Sequence, residues 1–221
     1  FKPGTVKRFA AYFKQVLSTV IAEPGIPLSR IDIILPEERR MIVEEFNRTG
    51  REYSREHTIL DAFAFQAGRA GDTVALAGDS IGCGAFGYIT YSRLDRLSDR
   101  WARSLQSLGV EPGGTAALMV DRTVEMAAAI LAILKSGCAY MPVSADYPPE
   151  RKTFMLADSC ARVLVTRQSL LDKDTREYLN RAGVPVMNLE DPGYYRPAAV
   201  NEDRCPPVEP EPVSPAYIIY T

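Results

Sequence analysis

The sequence predicts an α/β fold: a parallel-rich sheet flanked by helices, with a helical segment in front. Three observations carry this. Leu134 to Arg151, LKSGCAYMPVSADYPPER, compresses a helix end, a short strand and a helix start into eighteen residues, a density that fits strands alternating with helices. Before it, Val124 to Leu134 (containing AAAILAIL) is apolar nearly all round, the signature of a helix buried between layers. After it, ARVLVT reads as another short apolar strand.

In chain order, Val6, Phe9, Ala10, Phe13, Val16, Leu17, Val20 and Ile21 recur at the spacing of one helix face, and Pro24-Gly25 stops that helix. Ile31 to Leu35 reads as a short extended piece. Pro36-Glu37-Glu38 opens a second helix, with acidic residues near its positive end and Ile42, Val43 and Phe46 as its apolar side. Asn47 to Glu56 is polar and reads as a linker.

Thr58 and Asp61 have capping-box spacing, so a helix starts there and ends near Ala67 in the glycine-rich GRAG. Thr73 to Ala77 and Ala85 to Tyr91 read as paired strands. Between them, Gly82 to Gly87 matches GxGxxG. A dinucleotide site needs such glycines to lead into a helix N-terminus. Here they lead into YITY, so a hairpin loop is expected. The next helix places Leu94, Leu97, Trp101, Leu105 and Leu108 on one face. Arg93, Arg96, Arg100 and Arg103 lie opposite, on a solvated face where Asp99 and Arg103 have ion-pair spacing.

Thr115 to Val120 is the next strand, followed by the buried helix. Gly137 suits a left-handed helix end, Ala139 to Val143 a strand, and Asp146-Tyr147-Pro148-Pro149 a helix start. A helix through Phe154, Met155 and Leu156, a strand at Arg162 to Thr166, a polar helix at Ser169 to Asn180 and a strand at Val184 to Asn188 complete the series. Pro206 to Pro215 is half proline and reads as an extended connection. Ala216 to Tyr220 reads as a last strand.

The 221 residues are 46% hydrophobic and 24% charged, enough for one large domain or a domain with an appendage. A net charge of -2 argues against nucleic-acid and anionic-membrane partners. The longest apolar run, Met126 to Leu134, is too short to span a bilayer. Cys83, Cys138, Cys160 and Cys205 form no CxxC pair, which favours a reduced cytoplasmic setting over a disulfide framework or zinc site. The start on Phe1 without a methionine, and the stop after a strand, lead us to expect a segment of a longer chain.

Three strings carry a resemblance. LKSGCAYMPVSADYPPER resembles the second core motif of non-ribosomal peptide synthetase adenylation domains, LKAGxAYVPLDxxYPxER. Ser136 replaces the usual Ala, and Ser144 stands where an Asp is common. YITYSRL resembles the first core motif, L-T-Y-x-E-L, with Arg93 for the usual Glu, and DSCARVLVT continues the likeness. The glycine-rich hairpin reads as an insertion relative to the family. ILPEERRMIVEEFNRT resembles the segment joining a condensation domain to adenylation, although no HHxxxDG string is present and His57 has no second histidine beside it.

The resemblance implies that residues 1–50 are the end of a condensation domain and its linker, and residues 51–221 the incomplete N-terminal part of an adenylation domain. AYIIYT is similar to the strand that runs into the family's loop YTSGSTGxPKG, whose amides, hydroxyls and lysine surround ATP phosphates. This sequence matches the strand and Thr221 and then stops, so Thr221 alone is carried over, as the candidate cofactor-binding residue that starts the ATP phosphate loop. No catalytic residue and no metal ligand is assigned in this span. The parent implied is an ATP- and Mg²⁺-dependent ligase that adenylates an amino acid and loads it on a carrier domain's phosphopantetheine thiol. Its partners are an upstream condensation domain and a downstream carrier domain, and the span alone is expected to be inactive. Two other readings stand beside it: an acyl-CoA or aryl-acid ligase, and a non-catalytic scaffold or interaction module.

Overall fold

The computed structural model describes residues 1–80, 85–195, 208 and 210–221. The chain divides into two compact units, Phe1–Ser54 and Arg55–Thr221. Among the described residues no helix is long and apolar enough to cross a membrane.

The first unit is helical. Helix α1 (Pro3–Ala22) begins on a proline, which fits a first turn, and ends two residues before Pro24. Helix α2 (Pro36–Arg40) continues into a π-type turn, Met41–Glu45. Tyr12 donates to Glu38 (2.5 Å), and Arg8 lies 3.7 Å from the same carboxylate, tying α1 to α2. The extended piece expected at Ile31 to Leu35 forms no strand. Asp32 instead accepts from the Ile34 amide at 3.0 Å in a local turn.

The second unit holds the sheet. Helix α3 (Ile59–Arg69) starts in the expected capping box: Asp61 accepts from the Thr58 amide (2.6 Å), and Thr58 Oγ1 from the Asp61 amide (3.3 Å). Strands β1 (Val74–Ser80) and β2 (Ala85–Thr90) form an antiparallel hairpin. The first half of the GxGxxG string, Gly82, Cys83 and Gly84, lies outside the described residues. The string's remainder, Ala85 to Gly87, is strand, so its glycines do not open a helix.

Helix α4 (Tyr91–Ser107) buries Leu94, Trp101 and Leu105. Of the opposite arginines, Arg93 and Arg96 are exposed and Arg100 and Arg103 half-buried. Asp99 is engaged by Lys135 at 2.6 Å, a long-range partner that local spacing does not show.

Four parallel strands follow: β3 (Thr115–Met119), β4 (Ala139–Pro142), β5 (Val163–Thr166) and β6 (Val186–Asn188), ordered β4-β3-β5-β6. Helices α5 (Val124–Lys135), α6 (Pro149–Asp158) and α7 (Lys173–Ala182) alternate with them. Side chains alternate across β3. Ala116 and Leu118 join the core of α4 and α5 around Trp101 and Ile133, while Ala117 and Met119 join Met155, Leu156 and Leu179 of α6 and α7. The polar helix expected at Ser169 to Asn180 is split into a 3-10 turn at Gln168–Leu170 and α7, because Asp172 caps the latter.

Gly137 adopts φ +81°, as a left-handed helix end requires. A Cβ there would stand 2.6 Å from Val208 Cγ1 and 3.0 Å from Pro112 Cβ, so the space is closed as well.

Candidate functional site

The final segment leads to the candidate site. The expected strand at Ala216 to Tyr220 is reduced to a single parallel bridge between Tyr217 and Tyr140. Its two bonds are Tyr140 N to Ala216 O (3.1 Å) and Ile218 N to Tyr140 O (3.0 Å). Because the bridge is parallel, the segment runs in the direction of β4 and brings exposed Thr221 to the carboxyl edge of the sheet. Open α/β sheets bind ligands outside that edge.

Two features hold the segment. Ile218 and Tyr220 pack into the α6–α7 core, while Tyr217 and Ile219 point the other way and stay exposed. The Tyr220 hydroxyl donates to Asp158 Oδ2 at 2.6 Å, and the Phe154 ring meets the Tyr220 ring edge-on at 6.3 Å. The bond to Asp158, with a smaller contribution from burial, pushes the Tyr220 phenol up to about 12. It therefore stays protonated and donating at neutral pH.

The same edge carries a polar network where the strand order diverges, between β3 and β5. Arg167 reaches Asp121 Oδ2 with Nη1 (2.8 Å) and Glu190 Oε1 with Nε (3.2 Å), and Ser169 Oγ donates to Glu190 at 2.8 Å. The Ser169 hydroxyl, then its amide and the Arg167 guanidinium, hold the Glu190 carboxyl below its usual range despite partial burial. The guanidinium is thus engaged by two carboxylates and does not offer a free anion site.

Behind the loop that follows β4, Lys152 is buried at 3% exposure. Its ammonium donates to Ala145 O (2.9 Å) and to Asp172 Oδ2 (2.7 Å). Asp172 also accepts from the Thr175 amide and hydroxyl, each at 2.8 Å. Burial alone would raise the Asp172 carboxyl, but the bonds from Lys152 and Thr175 outweigh it and hold it at about 2. Reading the sequence missed this pair. The available signal was Asp172 three residues before Thr175, an N-cap spacing.

At the opposite edge lies a groove of about 590 Å³ lined by Glu56, His57, Asp61, Asp95, Asp99 and Lys135, among others. Helix α5 runs back from the carboxyl edge, so Lys135 at its end stands on the amino side. There it bridges Asp95 and Asp99 at 2.6 Å each. Of the cysteines, Cys138 is buried and free, Cys160 exposed and free, and Cys83 and Cys205 lie outside the described residues. Among the described residues no group of three or more His, Cys, Asp or Glu side chains is placed to hold a metal ion.

The parallel strands with alternating helices define an open α/β architecture, whose ligand edge is the carboxyl one. The chain belongs to the AMP-binding enzyme family, whose profile matches residues 63–221. Over its full length it is 36% identical to tyrocidine synthase 2 and 33% identical to tyrocidine synthase 3, both of Brevibacillus parabrevis. It spans only 6% and 3% of those two proteins. Among solved structures, the non-ribosomal peptide synthetase FmoA3 in its α-methyl-L-serine-AMP-bound form matches the whole chain, at 27% identity and TM-score 0.64. The match covers 24% of that structure. The four-domain synthetase AB3403 shares the fold at 22% identity and TM-score 0.66, with 15% of it covered.

Proposed function

We propose that this chain is the N-terminal part of the adenylation domain of a non-ribosomal peptide synthetase, preceded by the segment that joins it to a condensation domain. The observation that carries the reading is the parallel Tyr217–Tyr140 bridge, which sets the terminal segment running toward the carboxyl edge of the sheet. The full-length similarity to two tyrocidine synthases supports the synthetase branch over acyl-CoA and aryl-acid ligases.

The complete parent activates an amino acid by attack of its carboxylate on the α-phosphate of ATP. Pyrophosphate leaves, and a phosphopantetheine thiol on a carrier domain then takes the aminoacyl group from the adenylate, releasing AMP. Thr221, exposed at the edge, fits a first hydroxyl contact with a phosphate. The described residues supply no set of metal ligands, so Mg²⁺ would be held by residues elsewhere and by the phosphates it neutralises. Within this span the sheet, its helices and the Asp121–Arg167–Glu190 network support that edge rather than react. Residues 1–50 bear an exposed apolar stripe, which supports docking against a neighbouring domain of the same polypeptide, with an upstream condensation domain as the partner.

Amino-acid-dependent exchange of pyrophosphate into ATP by the full-length polypeptide tests the reading, with aryl and fatty acids as the competing panel. Exchange with one or a few amino acids is expected, and none from the 221-residue chain alone. Selective exchange with aryl or fatty acids would move the protein to the ligase branch. No ATP binding by the full-length polypeptide would favour a scaffold.

A further inference from the structure

The last backbone hydrogen bond between the terminal segment and the sheet is made by Ile218, and no backbone bond from Ile219, Tyr220 or Thr221 is recorded among the described residues. The approach to Thr221 is therefore held by side chains. One is Tyr220, whose ring packs beside Phe154 and whose hydroxyl is anchored on Asp158, one turn further along α6. The acceptor sits at the C-terminal end of α6, a helix whose start lies at the carboxyl edge after β4. Asp158 is exposed and forms no ion pair recorded for the described residues, so its carboxylate is available to the phenol.

We propose that Asp158 is a positioning residue for nucleotide binding: through the Tyr220 hydroxyl it fixes the strand end that presents Thr221 to the phosphates. The inference rests on the reading that Thr221 begins a phosphate-contacting loop. It assigns to α6, whose first residues belong to the string LKSGCAYMPVSADYPPER, a second task besides packing. A strand end held by one backbone bridge, the packing of Ile218 and Tyr220, and one phenol–carboxylate bond can shift at its tip without unfolding the sheet. Nucleotide affinity is accordingly more sensitive to this bond than stability is.

The test uses the full-length polypeptide and steady-state exchange kinetics, with ATP and the amino acid varied separately. Tyr220→Phe keeps the ring and removes the donor, and Asp158→Ala removes the acceptor. Each is expected to raise KM for ATP about three- to tenfold, the size of a typical net hydrogen-bond contribution at an exposed site. KM for the amino acid should stay within about twofold, because the phosphate contact alone is displaced. Asp158→Asn, whose amide oxygen still accepts from the phenol, should recover most of the loss. The double variant should be no worse than the poorer single one, since both remove one bond.

A parallel rise in both KM values with a lowered Tm would overturn the positioning role in favour of a structural one. Unchanged KM for ATP in a parent that is otherwise active would overturn it too. Absence of exchange in the unsubstituted parent is a different result, and it removes the functional reading itself.

Discussion

In α1, Phe9, Phe13, Leu17 and Ile21 recur four residues apart and remain exposed. In α5, Ala128, Ala129, Ala132 and Ile133 are buried between α4 and the sheet. No described residue of the first unit is buried, whereas the second unit builds two cores, one on each face of its sheet. Helix α5 is the more apolar of the two, but the difference that decides burial is what each helix has to pack on. Helix α5 is small on its buried side, so its backbone sits close to α4 and β3. Helix α1 carries large aromatics with only the short α2 beside it in its own unit. A repeat in sequence therefore marks a face made for burial, and the partner decides whether burial happens.

The contrast breaks most sharply at Trp101. This side chain has no exposed surface, and its indole donates to Tyr194 O at 3.0 Å. Trp101→Ala removes a large buried ring and its hydrogen bond, and should destabilise the second unit by about 4 kcal/mol. Urea unfolding of the 221-residue chain measures it. A loss below about 1 kcal/mol would mean that the α4–α5 core is loosely packed.

A smaller effect is expected at the charged pair behind the carboxyl edge. Asp172→Asn leaves the Lys152 ammonium buried with a weaker acceptor. The cost should be about 2 kcal/mol rather than the larger value for a fully buried pair, because the Asp172 side chain is 30% exposed. Its pH dependence has a definite sign. The folded carboxyl titrates at about 2 and an unfolded one near ~3.9, so the folded state favours the ionised form. This stabilisation is fully present above the unfolded value and is lost as pH falls through about 2. Unfolding midpoints should therefore diverge between native and Asp172→Asn protein above pH ~4 and converge below. A constant difference across that window would show that the pair is not what the substitution removed.

These two sites also mark what the sequence shows and what it hides. The period of Leu94, Trp101 and Leu105, the all-round apolar α5, the Thr58–Asp61 box and the left-handed Gly137 are local patterns, and each appears in the structure at its expected place. Lys135 and Lys152 are different. Lysine on a helix reads as solvated, yet Lys135 bridges Asp95 and Asp99 some forty residues away, and Lys152 is buried on Asp172. No spacing rule joins residues that only the sheet brings together.

Likewise in α6, three successive apolar residues read alike, but Phe154 is exposed beside Tyr220 while Met155 and Leu156 are buried. At the candidate site, AYIIYT reads as a strand, yet the structure forms only the single parallel bridge between Tyr217 and Tyr140 there. Asp158 is not legible, because an aspartate near a helix end has many uses. Only the 2.6 Å bond to Tyr220 selects one.

The smallest expected effect sharpens the comparison from its other side. Phe13 is 65% exposed, so Phe13→Ser in the 221-residue chain should change stability by no more than about 0.5 kcal/mol, as for other surface substitutions. The same substitution in the full-length polypeptide should cost more, about 2 kcal/mol, if a neighbouring domain covers α1 and buries that ring. The two measurements together separate two meanings of an exposed aromatic stripe. Equal, small effects would make the stripe a surface with no partner and would remove the support it gives to a docked upstream domain. A loss seen only in the longer protein would place the core of the first unit between itself and its neighbour. In that case α1 and α5 obey the same rule, and differ only in whether the covering partner lies within these 221 residues.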